Sequence, residues 1–289
     1  MSSKKIGLYL GPTTFFLTLL FFNPNGLNDP SKAVLASTLW IAIWWITEAL
    51  PIMVTALLPI VLFPLTGGMD LAVTSAAYGH KFIFLIMGGF IIAIAIEKWN
   101  LHKRIALNII NFIGTDIKKI ILGFMVATAF LSMWISNTAT SVMMLPIGIV
   151  IIKQLSEHPM SDSSENLNFG KALMLSIAYS ASIGGIATLI GTPPNMVMAG
   201  IVSQTYGYEI SFFEWFIFGF PVMILLLFVS WFFLTRWAFS FKQNKFPGGR
   251  EEILRLRNEL GKITYEQIVV AVVFALAGIC WISRSFVLQ

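Results

Sequence analysis

Small polar side chains cluster at the centre of a long apolar stretch, where they could bind a ligand. Residues 120–152 are nearly all apolar, yet they include Ser132, Ser136, Asn137, Thr138, Thr140 and Ser141. A polar group buried in lipid without a partner is costly, so such a cluster is tolerated mainly where protein, water or a ligand satisfies it. The plainer alternative is helix packing, because serine and threonine often bond to their own or a neighbouring helix.

A second apolar stretch, residues 171–202, is interrupted by glycine at 184, 185 and 191 and by proline at 193 and 194. Proline removes a backbone donor, and the residue before it avoids the α-helical region. The run Thr192-Pro193-Pro194-Asn195 is therefore predicted to unwind a helix within the membrane. Unwound backbone exposes carbonyl groups that can ligate a cation, although a simple kink is the alternative.

The composition indicates the elements that must position these groups. The chain has 289 residues, of which 57% are hydrophobic and 11% charged, with a mean hydropathy of +0.81. Soluble domains carry about 25% charged residues, so the sequence predicts a polytopic helical membrane protein. The net charge of +5 comes from basic loops and gives no sign of nucleic-acid binding. A single cysteine and three scattered histidines exclude a disulfide within the chain and a Cys- or His-based metal site.

The hydropathy pattern predicts four initial membrane spans, at residues 6–22, 33–50, 52–65 and 82–96. A polar, basic loop is predicted at 98–119, and the polar segments 153–169 and 241–267 separate the later apolar runs. Those later runs are 120–152, 171–202, 212–237 and 268–282.

The basic loops also orient the chain, because lysine and arginine favour the cytoplasmic side. Four spans place the N-terminus and the loop 98–119 together in the cytoplasm. A single crossing by 120–152 would then place the basic segment 241–267 outside. We therefore predict that 120–152 is a re-entrant hairpin of two half-helices of about 15 residues, with its tip at 136–141. Residues 251–260 (EEILRLRNEL) are predicted to form an amphipathic helix on the cytoplasmic interface.

Three motifs, in this order and on these predicted elements, resemble the divalent anion:sodium symporter family of dicarboxylate, tricarboxylate and sulfate carriers. The first is WITEALP at residues 45–51, followed by TALLP at 55–59. The second is Ser136-Asn137-Thr138 at the predicted hairpin tip. The third is the GTPPN run at 191–195, where the helix is predicted to break.

The resemblance implies two inverted repeats, each with one hairpin and one broken helix, and a scaffold that dimerises. It also implies a sodium site made by Ser132, Ser136, Asn137 and Gly191. Asn137 and Thr138 would hydrogen-bond a substrate carboxylate, and the same site would be shaped by Thr192, Pro193 and Asn195. Sodium takes neutral oxygen ligands, and the bound cation supplies positive charge without a buried arginine or lysine.

The sequence departs from the family pattern because it contains no second Ser-Asn-Thr hairpin and no second broken helix. We expect scaffold helices at 1–119, a transport region at 120–240, and the start of a second repeat at 241–289, so that the chain resembles a truncated carrier. The expected function is sodium-coupled symport, by alternating access, of di- or tricarboxylates (succinate, malate, fumarate) or of related divalent anions.

The expected location is a bacterial inner or plasma membrane, with the N-terminus in the cytoplasm. Two alternatives remain open: a sodium-independent dicarboxylate exchanger and a truncated scaffold that does not transport. An enzyme is not expected, because the sequence has no GxSxG or HExxH motif and no intramembrane Asp/His cluster.

Overall fold

The computed structural model describes residues 2–114, 116–157, 163–239, 241 and 249–287. Within these ranges every regular element is a helix, in agreement with the all-α prediction. The helices fall into two compact units, residues 1–84 and 85–289. The first unit contains α1 (Ser3–Phe21), α2 (Asp29–Thr47), α3 (Ile52–Thr55), α4 (Leu58–Leu65), α5 (Leu71–Tyr78) and the start of α6 (Lys81–Lys98).

In the first unit, α1 and α2 pack closely because α1 has glycine at their contact. A methyl group at Gly7 would fall 2.5 Å from Cβ of Thr47, and one at Gly11 would fall 2.6 Å from the Trp40 ring. Small residues permit this close approach between membrane helices. The pairing of α1 with α2 thus follows from the placement of small residues in α1.

The segment 52–65, predicted as one span, is divided into α3 and α4 at residues 56–57. Pro59 lies in the first turn of α4 and cannot donate a backbone hydrogen bond, so it begins a helix more readily than it continues one. The short helix α5 was not predicted. It directly precedes α6, which matches the predicted span 82–96.

Five helical segments in the described residues are long and apolar enough to cross a membrane: Leu71–Lys98, Asn137–Ser156, Glu165–Ile186, Phe212–Ala238 and Tyr265–Arg284. This result supports a polytopic membrane bundle. The helices α1 and α2 have 19 residues each but are not among the five. Crossing of the membrane by α1 and α2 therefore stays a prediction.

In the residues that the structure describes, the second unit contains the rest of α6 and eight further helices. These are α7 (Leu101–Ile113), α8 (Ile117–Ser132), α9 (Asn137–Glu157), α10 (Ser163–Ile186), α11 (Pro193–Tyr206), α12 (Phe212–Phe233), α13 (Gly249–Glu259) and α14 (Tyr265–Val287). A π-helical turn, Leu234–Ala238, continues α12. The centre of the unit is α8, which packs against α7, α9, α10 and α12 and buries Ile120, Ile121, Phe124 and Met125 completely.

The predicted loop at 98–119 is wrong, because most of it forms α7. Leu101, Leu107 and Ile110 lie on one buried face of this helix. The face packs on α8, where a methyl group at Gly123 would fall 3.1 Å from Cα of Ile110. The basic residues of α7 suggested a loop, but its apolar residues recur at helical spacing and cover the core.

The predicted amphipathic helix at 251–260 is confirmed as α13, but its apolar side packs on protein. Ile253 is fully buried, and α13 contacts α7 and α9. The predicted burial of this side in the membrane interface is therefore wrong for Ile253. Beside it, the Nε of Arg255 donates to Glu252 at 2.8 Å.

A hydrogen-bonded cluster joins the ends of α13 and α14 to α7; we call it the Arg104 clamp. Arg104 donates from Nε to Gln267 Oε1 at 2.9 Å, and from Nη2 to the carbonyls of Leu260 and Gly261 at 3.0 Å each. Gln267 in turn donates from Nε2 to the Trp99 carbonyl at 2.9 Å. The guanidinium group thus satisfies carbonyl groups that the end of α13 leaves free.

Candidate functional site

The polar cluster of the first apolar stretch lies where α8 ends and α9 begins. The two helices are separated by residues 133–136, which we call the tip turn, and both pack against α10. The turn thus begins three residues before the predicted tip at 136–141. The helix α8 has 16 residues, close to a half-helix, but α9 has 21 and is long enough to cross a membrane. Re-entrance of the 120–152 segment therefore stays a prediction.

The predicted break in the second apolar stretch is confirmed, but it lies earlier than expected. Residues 187–192 separate α10 from α11, whereas Pro193, Pro194 and Asn195 already form the first turn of α11. Proline is favoured at the first helical positions, where its missing N–H would have no intrahelical partner. The prolines therefore begin the second helix, and the six residues before them are the interrupted segment.

Three neutral oxygens converge at the end of α8. The Oγ of Ser132 lies 2.8 Å from Oδ1 of Asn137 and 2.6 Å from the carbonyl oxygen of Ala181. A serine hydroxyl has one proton and donates to only one of these oxygens at a time. The two oxygens therefore share one hydroxyl proton, and lone pairs remain for a further ligand, unless the Asn137 amide turns its NH₂ towards Ser132. Neutral oxygens with spare lone pairs can ligate a cation.

The other polar groups of the cluster lie in the tip turn and at the start of α9. Ser136 Oγ accepts a hydrogen bond from the backbone N–H of Ala139 at 3.3 Å, as a helix cap does. Ser141 Oγ donates to the carbonyl of Asn137 at 2.9 Å. Thr140 is fully buried, and its hydroxyl has no hydrogen-bond partner among the described residues.

Glycines of α10 bring the second break against the tip turn. A methyl group at Gly185 would fall 3.1 Å from Cγ of Asn137, and one at Gly184 would fall 2.6 Å from Cα of Ala129. Within the break, a methyl group at Gly191 would fall 2.9 Å from Cα of Gly185. Only glycine allows these approaches, so the paired glycines place Asn137 beside the broken helix.

Asn195 and Thr188 hold the break itself in place. Asn195 is buried, and its Nδ2 donates to the carbonyls of Gly185 and Thr188 at 2.9 and 2.8 Å. The hydroxyl of Thr188 donates to the carbonyl of Met133 in the tip turn. The two interrupted helices are therefore joined by a direct hydrogen bond. Asn195 contributes by holding the backbone of the break at Gly185 and Thr188.

The structure brings together part of the predicted site. Ser132 and Asn137 are in contact. Gly191 packs against Gly185, which in turn packs against Asn137. Thr138 and Pro193 are exposed, and Thr192 is half-buried with an extended backbone. Among the described residues, no hydrogen bond links Thr138, Thr192 or Pro193 to Ser132 or Asn137.

Two contributors were missed by the sequence reasoning, the carbonyl of Ala181 and the hydroxyl of Thr188. A backbone carbonyl carries no side-chain signal, and Ala181 lies 49 residues from Ser132 along the chain. Thr188 stands between the glycines and prolines of the break, so its position could have suggested it. In the described part of the chain, no group of three or more His, Cys, Asp or Glu residues could hold a metal ion. A cation here would be held by neutral oxygens.

The fold and this site define a polytopic helical membrane protein with a polar centre where two interrupted helices meet. Residues 3–288 match the family described as the sodium:sulfate symporter transmembrane region, so the chain belongs to that family. The resemblance drawn from the three motifs is thereby confirmed.

Two relatives illustrate the similarity. The chain is 50% identical over 288 residues to the sodium-dependent dicarboxylate transporter SdcS of Staphylococcus saprophyticus, covering 99% of this chain and 56% of that protein. It is 51% identical over 292 residues to SdcS of Staphylococcus aureus strain USA300, covering 100% and 56%. The chain therefore spans about half the length of the curated relatives it matches. The family and these relatives are transporters and not enzymes.

Proposed function

We propose that this chain is a secondary active transporter that moves dicarboxylates, such as succinate, malate or fumarate, together with sodium. The observation that carries the proposal is the convergence of Ser132 Oγ, Asn137 Oδ1 and the Ala181 carbonyl at the meeting point of two interrupted helices. The relatives named as sodium-dependent dicarboxylate transporters support the choice of ion and substrate.

In this proposal sodium is held by Ser132, Ser136, Asn137 and the backbone of Gly191. An ion at Oδ1 of Asn137 would occupy the acceptor side of the amide. The NH₂ side of the same amide would then be free to donate to a substrate carboxylate. Asn137 could thus couple the two ligands, because one planar group presents an acceptor to the cation and a donor to the anion.

The N-terminal turns of α9 and α11 favour an anionic substrate. Thr138 lies in the first turn of α9, and Thr192 directly precedes Pro193 at the start of α11. The N-terminus of a helix carries a partial positive charge, and interrupted transporter helices use it to attract anions. We assign Thr138, Thr192 and Pro193 to the substrate side of the site and Asn195 to its support.

The remaining assignments follow the sequence reasoning. We propose that residues 1–119 act as a scaffold that mediates a homodimer in the lipid bilayer, and that residues 120–240 move against it in alternating access. The segment 241–289 would begin a second repeat. The basic residues of the loops favour a cytoplasmic N-terminus in a bacterial inner or plasma membrane.

The test is uptake of labelled succinate into proteoliposomes that contain this chain, with sodium or potassium outside. We expect sodium-dependent uptake that Asn137→Ala abolishes. Asn108→Ala is the matched control, because Asn108 is an exposed amide on α7. The S. aureus relative serves as the positive control for the assay.

Two outcomes contradict the proposal. Uptake that proceeds equally in potassium would favour a dicarboxylate exchanger. Folded chain that gives no uptake, while the relative transports, would favour a membrane scaffold that does not transport by itself.

A further inference from the structure

The tip turn carries a tryptophan that belongs to none of the predicted ligand sets. The Trp134 ring lies 5.1 Å from the Phe274 ring at an interplanar angle of 90°, an edge-to-face contact. Its ring centre lies 6.2 Å from Phe212 and 6.3 Å from Trp281, both nearly parallel to it. We call Phe212, Phe274 and Trp281 the aromatic cage; they belong to α12 and α14.

Ring packing, and not hydrogen bonding, holds Trp134 in the cage. Its Nε1 is buried and has no hydrogen-bond partner among the described residues. An unpaired buried donor is unfavourable, so the aromatic contacts must outweigh its cost. Phenylalanine at this position would keep an aromatic face in the cage and would lose the unpaired donor together with the rest of the five-membered ring.

The tip turn is therefore fixed from two sides. On one side the hydroxyl of Thr188, in the broken helix, donates to the Met133 carbonyl. On the other side the ring of the next residue, Trp134, enters the aromatic cage. The flanking residues of the turn are Ser132 and Asn137, whose side-chain oxygens lie 2.8 Å apart. The separation of these two oxygens depends on the path of the turn.

We propose that Trp134 is a positioning residue that sets the sodium affinity of the site. Seated in the aromatic cage, it holds the tip turn in the path that brings Ser132 Oγ and Asn137 Oδ1 together. The inference rests on the proposed sodium site and deepens it. It makes the affinity depend on α12 and α14, two helices that supply none of the predicted ligands.

The experiment measures the unfolding temperature of the purified chain in detergent while sodium chloride replaces potassium chloride at constant ionic strength. A ligand that binds the folded state raises this temperature, and the titration gives the half-saturating sodium concentration. We expect Trp134→Ala to raise that concentration about ten- to a hundredfold, as loss of a residue that orients metal ligands does. Trp134→Phe should restore it to within about twofold, by the same reasoning.

Trp40→Ala is the matched control. Trp40 lies in the first unit, its ring centre is 5.2 Å from Phe15 and 5.3 Å from Trp44, and its Nε1 also has no partner in the described residues. Its replacement should lower the unfolding temperature without changing the half-saturating sodium concentration. If the half-saturating sodium concentration rose equally in Trp40→Ala and Trp134→Ala, the inference would be overturned, because general destabilisation would explain both changes.

Phe274→Leu provides a second route if Trp134→Ala does not fold. It removes the ring that contacts Trp134 edge to face and leaves an apolar side chain, and it should weaken sodium binding in the same direction. If Trp134→Ala or Phe274→Leu keeps the wild-type half-saturating sodium concentration, the inference about Trp134 is overturned and the proposed sodium site is not. Absence of any sodium response in the wild-type chain overturns the proposed sodium site and the inference with it.

Discussion

Two polar regions of the second unit, the Ser132–Asn137 site and the Arg104 clamp, satisfy their hydrogen bonds differently. In the clamp, the Arg104 guanidinium donates to three oxygens, those of Gln267, Leu260 and Gly261. A guanidinium has five N–H donors, which is more than these three contacts need. At the site, the single proton of Ser132 faces two oxygens. In the clamp there are donors enough for every acceptor, whereas at the site two oxygens share one hydroxyl proton.

We interpret this difference as one between a structural region and the proposed binding region. A balanced network of donors and acceptors gains nothing from a cation and rigidifies the helices that it joins. An excess of neutral oxygens is unfavourable in an apolar surrounding until a cation or a donor is supplied. Changes at the site should therefore alter sodium binding, and changes at the clamp should alter stability.

The largest effect is expected for Gly185→Ala. The added methyl group would enter the space of the Asn137 amide, whose Cγ would lie 3.1 Å away, and would displace that side chain from Ser132. A displacement of about 1 Å at a binding constellation can cost about 100-fold, so we expect sodium-dependent uptake to fall by about that factor. The measurement is succinate uptake as a function of sodium concentration.

Gly88→Ala is the control for this variant, because a methyl group at Gly88 on α6 meets no atom within 4 Å. It should transport as the wild type does. Normal sodium dependence in Gly185→Ala would mean that the Asn137 amide is free to move away without loss, and that the contact with Ser132 does not define the site.

A smaller effect, on stability, is expected for Asn195→Ala. The substitution removes the NH₂ group that donates to the buried carbonyls of Gly185 and Thr188. The Thr188 carbonyl keeps the backbone N–H of Gly191 as a donor at 3.3 Å, so the substitution removes two hydrogen bonds but leaves that carbonyl paired. Each lost hydrogen bond costs about 1 kcal/mol, so the free energy of unfolding should fall by about 2 kcal/mol. Chemical denaturation in detergent, without sodium and with it, measures the change. A loss confined to the sodium-bound form would show that Asn195 is itself a ligand and not a support.

Arg104→Lys tests the clamp. Lysine keeps the positive charge but lacks the planar group that reaches Gln267, Leu260 and Gly261 together. We expect the free energy of unfolding to fall by about 1 kcal/mol, because the clamp is only partly buried. The half-saturating sodium concentration should stay at the wild-type value.

Arg257→Lys is the matched control for the clamp, since Arg257 is exposed on the adjacent α13. It should leave both the stability and the sodium dependence unchanged. A clear change in the half-saturating sodium concentration of Arg104→Lys would contradict the proposal that the clamp affects stability and not sodium binding.

The same two regions show what the sequence could and could not predict. The Ser-Asn-Thr triplet and the GTPPN run located both interruptions, because polar groups, glycine and proline in an apolar run are strong local signals. The contact of Ser132 with the Ala181 carbonyl could not be predicted from the sequence, because any residue type at position 181 supplies a backbone carbonyl. The Arg104 clamp joins residues 163 positions apart, and its helix was predicted as a loop because its charges outweighed its apolar spacing.

The smallest expected effect concerns His102, which lies in α7, as Arg104 does. His102 is buried, and its Nδ1 lies 3.3 Å from the Ile96 carbonyl. Burial lowers the pKa of His102 below its ordinary value of 6.5, and Lys103 acts in the same direction, whereas the bond to Ile96 and the charge of Glu97 oppose the shift. The folded chain therefore holds this imidazole neutral at a pH where the unfolded chain is already protonated.

The direction of the pH dependence follows from this difference in proton binding. Below the ordinary pKa of 6.5 the unfolded chain binds more protons at His102 than the folded chain does, so the free energy of unfolding falls as the pH is lowered. The fall ends once the pH has passed the lowered pKa of the folded state, and the full contribution is present above 6.5. His102→Asn cannot titrate, and unfolding measured from about pH 8 to about pH 5 should show a shallower slope for this variant. Equal slopes would mean that His102 is protonated in the folded chain without penalty, and that the buried face of α7 is open to water where the clamp joins it.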